Sequence, residues 1–397
     1  MNKSKYIILL IYILTCYACD NLDIKSGQSE SFIKIFGSYS DDYGVDIKEY
    51  DNGYLILATV SPNNENTTDI AIIKTDKYGN QTNIETIEKS GNDRASKLLI
   101  TNDGGFVILG TCEDTVNNNK DIYAAKYTST LEKEWTKSIG KVSENEEGIS
   151  IAKLSDGYLI AGNSDEANVA NGNPSGVQDI VLIKINESGD TQWINSFGGV
   201  AKDIAVDVIV TDNGFVIIGT TASFSEHGQD KENIIVIKTN SEGNETDKLT
   251  YGGSFDDKGI ALIESDAGYI LLGTKEILSG GNSDIYLVYL GNDIYDIIDE
   301  KTYGSSGANN IGSALYYTGN NLVVAGSNEE GGVTSAYFLK LDIEGNILIE
   351  NTFGGYDAQV INAIEKTSDG GYIMVGVSGF GGNNQICLLK VSSEGEL

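Results

Sequence analysis

Histidine is nearly missing from this chain: it occurs once in 397 residues, at His227. That excludes a multi-histidine metal site and an HExxH helix, and it makes any Ser-His-Asp arrangement depend on one residue. Cysteine occurs four times, and Cys112 and Cys387 stand in apolar segments of repeats that are not expected to be neighbours, so no disulfide framework is implied. Proline occurs twice, at Pro62 and Pro174, against 47 glycines, which suits tight turns between short strands rather than a collagen-like or low-complexity chain. Bases are scarce too: 27 Lys and Arg face 58 Asp and Glu, for a net charge of −31. Nucleic acids and anionic lipid surfaces require a basic footprint that this chain lacks, while cations, basic peptides and neutral glycans stay open. The same charge also serves solubility. No DxDxDG loop of EF-hand type occurs.

What is present starts with Lys3 and Lys5 ahead of an apolar run from Tyr6 to Leu14, too short to span a bilayer comfortably and of the length of a signal-peptide core. The stretch "TCYACDN" that follows resembles the lipobox of bacterial lipoproteins, in which small residues precede a cysteine that becomes acylated and forms the mature N-terminus. Ala18 makes Cys19 the expected lipidation site, although Tyr17 and Cys16 depart from the usual pattern; Cys16 is the alternative acceptor, and an ordinary cleaved signal the alternative process. The resemblance implies a signal peptide over residues 1–18, a polar tether over 19–30, and anchoring by several acyl chains such as palmitate, since one chain alone binds only marginally. Asp20 and Asp23 partly resemble the surface-export signals of Bacteroidota lipoproteins, so the expected location is the outer membrane, facing the cell surface.

From there on the chain repeats itself. "NGYLILA", "GGFVILG", "DGYLIAG", "NGFVIIG", "AGYILLG", "NNLVVAG" and "GGYIMVG" carry Tyr54, Phe106, Tyr158, Phe215, Tyr269, Leu322 and Tyr372 at intervals of 50 to 57 residues. Each copy parses into four strands: a weakly apolar first, the glycine-led second, a third of the "DIVLIK" type, and a fourth of the "WINSF" type. The turn before strand two calls for positive φ, supplied by glycine or, in the sixth copy, by Asn321. Runs such as "VILG" and "IIVI" are apolar without alternation, so both faces of each sheet must be covered, as in sheets stacked around an axis.

The seventh copy stops at Leu397 without a fourth strand, and "FIKIF" at Phe32 to Phe36, ahead of the first copy, matches that missing piece. A ring closes when the N-terminal strand completes the last blade and removes an exposed edge. The expected fold is therefore all-β: a seven-bladed propeller of four-stranded blades over residues 31–397. This stretch resembles bacterial, Bacteroidota-like, propeller-repeat lipoproteins with units of the form "DGGYIIxGxT…DxxLIKxDxxGNxxWxKTYGG". The pattern is specific for the fold and not for an activity.

Two sets of polar residues map to the rim bearing the loops from strand four to one and from strand two to three. Five residues after each repeat's leading glycine, or at the nearest equivalent position, stand Asp42, Asp93, Glu146, Asp203, Asp257, Asn310 and Gln359, which are expected to ring the channel mouth. There they either disfavour one another's ionisation or attract a structural cation, or they cap turns locally. The second set opens strand three: Asp69, Asp121, Asp179, Asn233, Asp284, Ser335 and Gln385, read as structural acceptors. The loops before strand three differ among blades, those of blades three and four being longer than that of blade six, and Phe224 and His227 in the blade-four loop are candidate ligand contacts. "GFGG" at Gly379 to Gly382 has no following helix and is set aside as a phosphate loop. Asp114-Thr115-Val116 resembles the Asp-Thr-aliphatic O-glycosylation acceptor of Bacteroidota, in an exposed loop.

These observations point to a lipid-anchored monomeric propeller that binds or scaffolds an envelope protein or a glycan, touching the membrane through its anchor alone and needing no cofactor. The alternative is a carboxylate-dependent enzyme acting on polysaccharide at the channel mouth.

Overall fold

Strand two of every copy is an apolar run, and it is buried on both faces: Tyr54, Phe106, Tyr158, Phe215, Tyr269, Leu322 and Tyr372 are all core residues. The computed structural model describes residues 31–397 apart from 38–39, 62–66, 88–90, 167–176, 226–230, 278–280, 306 and 355–357. The expectations for the signal peptide, Cys16, Cys19, the tether, Pro62, Pro174 and His227 lie outside the described residues.

The described chain forms seven antiparallel sheets of four strands each. Blades one to six run in chain order, and the seventh joins Gln359–Lys366, Tyr372–Ser378 and Gln385–Val391 to the N-terminal strand Phe32–Phe36. That strand pairs with Gln385–Val391 from Phe32 opposite Lys390 to Phe36 opposite Ile386, so the edge the last copy would expose is covered. The first strands of neighbouring blades touch in sequence, and those of blades seven and one touch as well, which closes the ring around its axis. Hydrophobic clusters lie between blades rather than within them: Leu55 and Ile72 of blade one pack with Phe106 and Tyr123 of blade two. Each fully buried Leu or Ile contributes about 1.5–3 kcal/mol, so the blade interfaces hold the ring.

The glycine before the aromatic has the expected positive φ in blades three to five, at Gly157 (156°), Gly214 (145°) and Gly268 (137°), but not in blade one. In blade one the positive φ values fall on Asp51 (51°) and Asn52 (57°), and Asn321 of blade six is not in that region, the nearby turn using Gly319 at 89°. The glycine is required by space: a Cβ on Gly53 would run into the carbonyl of Thr75, on the partner strand. Strand one is bulged at the same place in all seven blades, for example between Gly148 and Ser150. There it nears the preceding blade, and a Cβ on Gly148 would stand 2.7 Å from the carbonyl oxygen of Gly110.

Candidate functional site

The first polar set opens the inner strand of each blade, and these side chains are occupied by the scaffold. Asp42, Asp93, Asp203 and Asp257 are buried. Each accepts an amide from the end of its own strand two: Ser61 to Asp42 at 2.9 Å, Glu113 to Asp93 at 3.1 Å, Ser223 to Asp203 at 3.3 Å and Glu276 to Asp257 at 3.1 Å. Asp203 also accepts from Gly199 N–H at 2.9 Å and from the Thr221 hydroxyl, and Asp257 from Gly253 N–H. The carboxylate thus ties the loop entering strand one to the end of strand two. Asn310 does the same with an amide, accepting from Asn328 at 2.8 Å, and Gln359 is half-buried beside Gly354.

Mutual suppression of ionisation around the ring is not the arrangement found. Burial, above all, raises the carboxyl of Asp257, and its charged neighbours are Lys275 and Glu276 rather than another ring member. Among the described residues no group of three or more His, Cys, Asp or Glu converges as a metal site would.

The two polar sets meet each other instead, at blade boundaries. A Cβ on Gly140 would stand 2.8 Å from Glu146 Oε2 of blade three and would run into Asp121 of blade two. Gly252 is held likewise between Asp257 and Asn233, Gly304 between Asn310 and Asp284, and Gly37 between Asp42 and Gln385. The leading glycine therefore lets the last polar side chain of one blade approach the first of the next, and Gly37 repeats this at the closing boundary.

Glu146 is the ring's exception. One methylene longer than its counterparts, it accepts only long bonds, from Lys141 N–H at 3.3 Å and from the Ser164 hydroxyl at 3.5 Å. The amide equivalent to Ser223 N–H, that of Glu166, donates to Ser164 Oγ at 3.2 Å. Burial first, then the charges of Asp121, Glu144 and Asp165, push the Glu146 carboxyl up to about 7.

Of the loop candidates, Phe224 is half-buried, packs against the blade three and four core, and carries Lys248 Nζ 3.9 Å from its ring centroid. Thr115 is exposed in a hairpin turn whose amides at Val116 and Asn117 donate to Asp114 at 2.9 and 3.2 Å. "GFGG" includes a three-residue 3₁₀ turn, Phe380–Gly382, where no helix was expected; it is too short to align amides on a phosphate. Cys112 and Cys387 are buried thiols in separate blades, neither in a disulfide, and burial pushes the Cys387 thiol up to about 11.

The sequence reading missed the polar side chains that join blades. Thr59 Oγ1 accepts Ala95 N–H at 3.0 Å, Thr111 Oγ1 accepts Gly148 N–H at 3.1 Å, Asn163 Oδ1 accepts Ala205 N–H at 2.8 Å and Thr220 Oγ1 accepts Gly259 N–H at 3.2 Å. The signal was present: a small polar residue recurs five after the strand-two aromatic.

No family model matches the chain, and no curated protein matches it in sequence. Among solved structures it is similar to the β-propeller domain of the Trilobed protease from Pyrococcus furiosus, at 12% identity over 90% of this chain and 97% of that one, with a TM-score of 0.52. That domain has an open velcro topology, whereas here the N-terminal strand completes the last blade. The Neurospora crassa Pan2 WD40 domain gives 8% identity, 93% and 98% coverage and a TM-score of 0.54. Pyrococcus horikoshii acylaminoacyl peptidase gives 14% identity and a TM-score of 0.50; 88% of this chain aligns with about half of it, 51%. At such identities the likeness establishes a β-propeller and nothing about activity.

Proposed function

We propose that the protein is a lipid-anchored, extracytoplasmic propeller that binds or scaffolds an envelope protein or a glycan through the rim of blades three and four. One observation carries the reading. The connection from strand two to three runs from Ser164 to Asp179 in blade three and from Thr221 to Asn233 in blade four, while blades two and six turn tightly between Asp114 and Asn119 and between Glu330 and Val333. Repeated blades with long loops on one sector suit recognition by loops on a rigid frame. The ring acids weigh against the polysaccharide-cleaving alternative, because Asp42, Asp93, Asp203 and Asp257 are buried and tied to backbone amides. The anchor rests on the lipobox resemblance at Cys19.

The test compares the full-length protein, captured from lightly cross-linked native cells, with a form starting at Asp20. Recovery of one defined envelope protein or glycan, lost when the blade three and four loops are shortened, supports the reading. Equal recovery with the shortened loops overturns it. Metabolic labelling with palmitate, lost in Cys19→Ala and kept in Cys16→Ala, tests the anchor separately.

A further inference from the structure

A cavity of about 480 Å³ lies between blades two and three, beside the start of the long blade-three loop, which contributes Glu166. Ile139 of blade two and Val181, Ile183 and Ile194 of blade three line it with aliphatic surface, and Glu146, Lys141 and Glu166 contribute its polar end. Ile194 is 51% exposed, so the cavity reaches solvent along the outer strand. This is the form of a small-molecule site: apolar walls, a few convergent polar groups and one perturbed acid.

The charges around the polar end select the ligand. Lys141 is engaged by Glu166, with Glu144 at 3.9 Å. Asp165 accepts both the backbone and side-chain amides of Asn145 at 2.7 Å, and Asp121 accepts the Ser138 hydroxyl at 2.9 Å. Glu146, more than nine-tenths buried, is the lining carboxyl that lacks a short bond. Five acids from three segments thus surround the polar end with a single lysine among them.

We propose that this cleft binds an alkylammonium group, its charge on Glu146 and its apolar body against Ile139, Val181, Ile183 and Ile194. The N–H donors of the ligand replace the long bonds to Lys141 N–H and Ser164, and its positive charge relieves the excess of acid. A metal ion is a poorer occupant, since the described acids here do not converge as ligands. A free amine and a lysine side chain of a partner protein share this chemistry.

The proposal also predicts proton release. An ammonium pairs with ionised Glu146, whose surroundings are Asp121 from blade two, Lys141 and Glu144 from the loop entering strand one, and Asp165 and Glu166 after strand two. With that carboxyl titrating near 7, binding at pH 7 releases about half a proton, and affinity rises about tenfold from pH 6 to pH 8.

The experiment is calorimetric titration of the full-length protein with cyclohexylammonium, cyclohexanol and cyclohexanecarboxylate, and with a blocked tripeptide containing one central lysine. The expected result is saturable binding of the amine or the peptide, none of the alcohol or carboxylate, and proton release seen as a dependence on buffer ionisation heat. Tighter binding of the peptide assigns the site to a partner's lysine, and tighter binding of the amine to a small ligand. Glu146→Gln weakens binding about tenfold or more and abolishes proton release. Ile194→Lys, at an exposed position, weakens it with the fold intact. Equal binding of amine and alcohol, no binding of amine or peptide, or wild-type affinity in both variants overturns the proposal.

Discussion

The ring of Phe32 lies over Gly79, so that a Cβ on the glycine would stand 2.5 Å from Phe32 Cε2. Phe32 begins the N-terminal strand of blade seven, and Gly79, at φ +74°, turns the chain between strands three and four of blade one. Trp135 of blade two meets Gly189 of blade three in the same way, and Trp193 of blade three meets Gly243 of blade four. The strand that closes the ring therefore makes the contact its counterparts make elsewhere.

Gly79→Ala should lower stability by about 1–2 kcal/mol, from the left-handed backbone conformation and the lost space under Phe32. Phe32→Ala should relieve the steric part, so the double variant is less destabilised than the sum of the single ones. Denaturant midpoints of the four proteins check this; strict additivity would show that the two residues do not share the contact.

Asp203→Ala should cost about 1–3 kcal/mol, because Gly199 N–H, Ser223 N–H and the Thr221 hydroxyl would lose their acceptor in a buried place. The effect should appear as a fall in Tm, with the strand content by circular dichroism unchanged at room temperature. A Tm within error of wild type would return Asp203 to the list of residues available to a ligand.

Glu146 predicts a pH dependence of stability. Its folded carboxyl titrates near 7, above the ordinary value of 4.5, so between those values the folded state holds more protons than the unfolded one. Its contribution to stability is full below about 4.5, falls as pH rises toward 7 and is flat above. Glu146→Gln should remove that fall, so the gap between variant and wild type changes from pH 5 to pH 8. Parallel curves would place the titration elsewhere.

Lys390 and Lys184 occupy the same strand-three position, yet their pairs should differ in worth. Lys390 meets Asp369 at 2.9 Å with its side chain 3% exposed, while Lys184 meets Asp156 at 2.8 Å with 22% exposed. Asp369→Asn keeps an oxygen for Thr367 and Gly371 but leaves the buried ammonium without its counter-charge, at about 1–2 kcal/mol. Asp156→Asn should cost under about 0.5 kcal/mol, as exposed pairs do. Urea titration separates the two; equal losses would mean that burial does not govern the pair.

Much of the architecture was legible because it is local. The aromatic after the hairpin, the non-alternating apolar runs and the missing fourth strand are properties of consecutive residues, and they specify strands, blades and the closing role of Phe32 to Phe36. The ring acids were legible as a period but not as a role. Asp203 and Asp257 recur at the proper interval either as ligands or as caps, and only the amides of Ser223 and Glu276 at their oxygens decide between these.

By itself, then, the sequence determined the repeat, the number of blades and the strand that completes the ring, since strand pairing follows from side-chain pattern and turn chemistry along one chain. The tertiary structure decided what happens between blades. It decided that Gly140 brings Asp121 of one blade beside Glu146 of the next, that Thr111 accepts an amide from its neighbour, and that aliphatic surface opens next to the one ring acid that is loosely bonded. Those contacts depend on the angle at which one sheet meets another: a residue such as Thr111 recurs at a fixed place in the repeat, but its partner, some tens of positions away in the chain, is set by that angle alone.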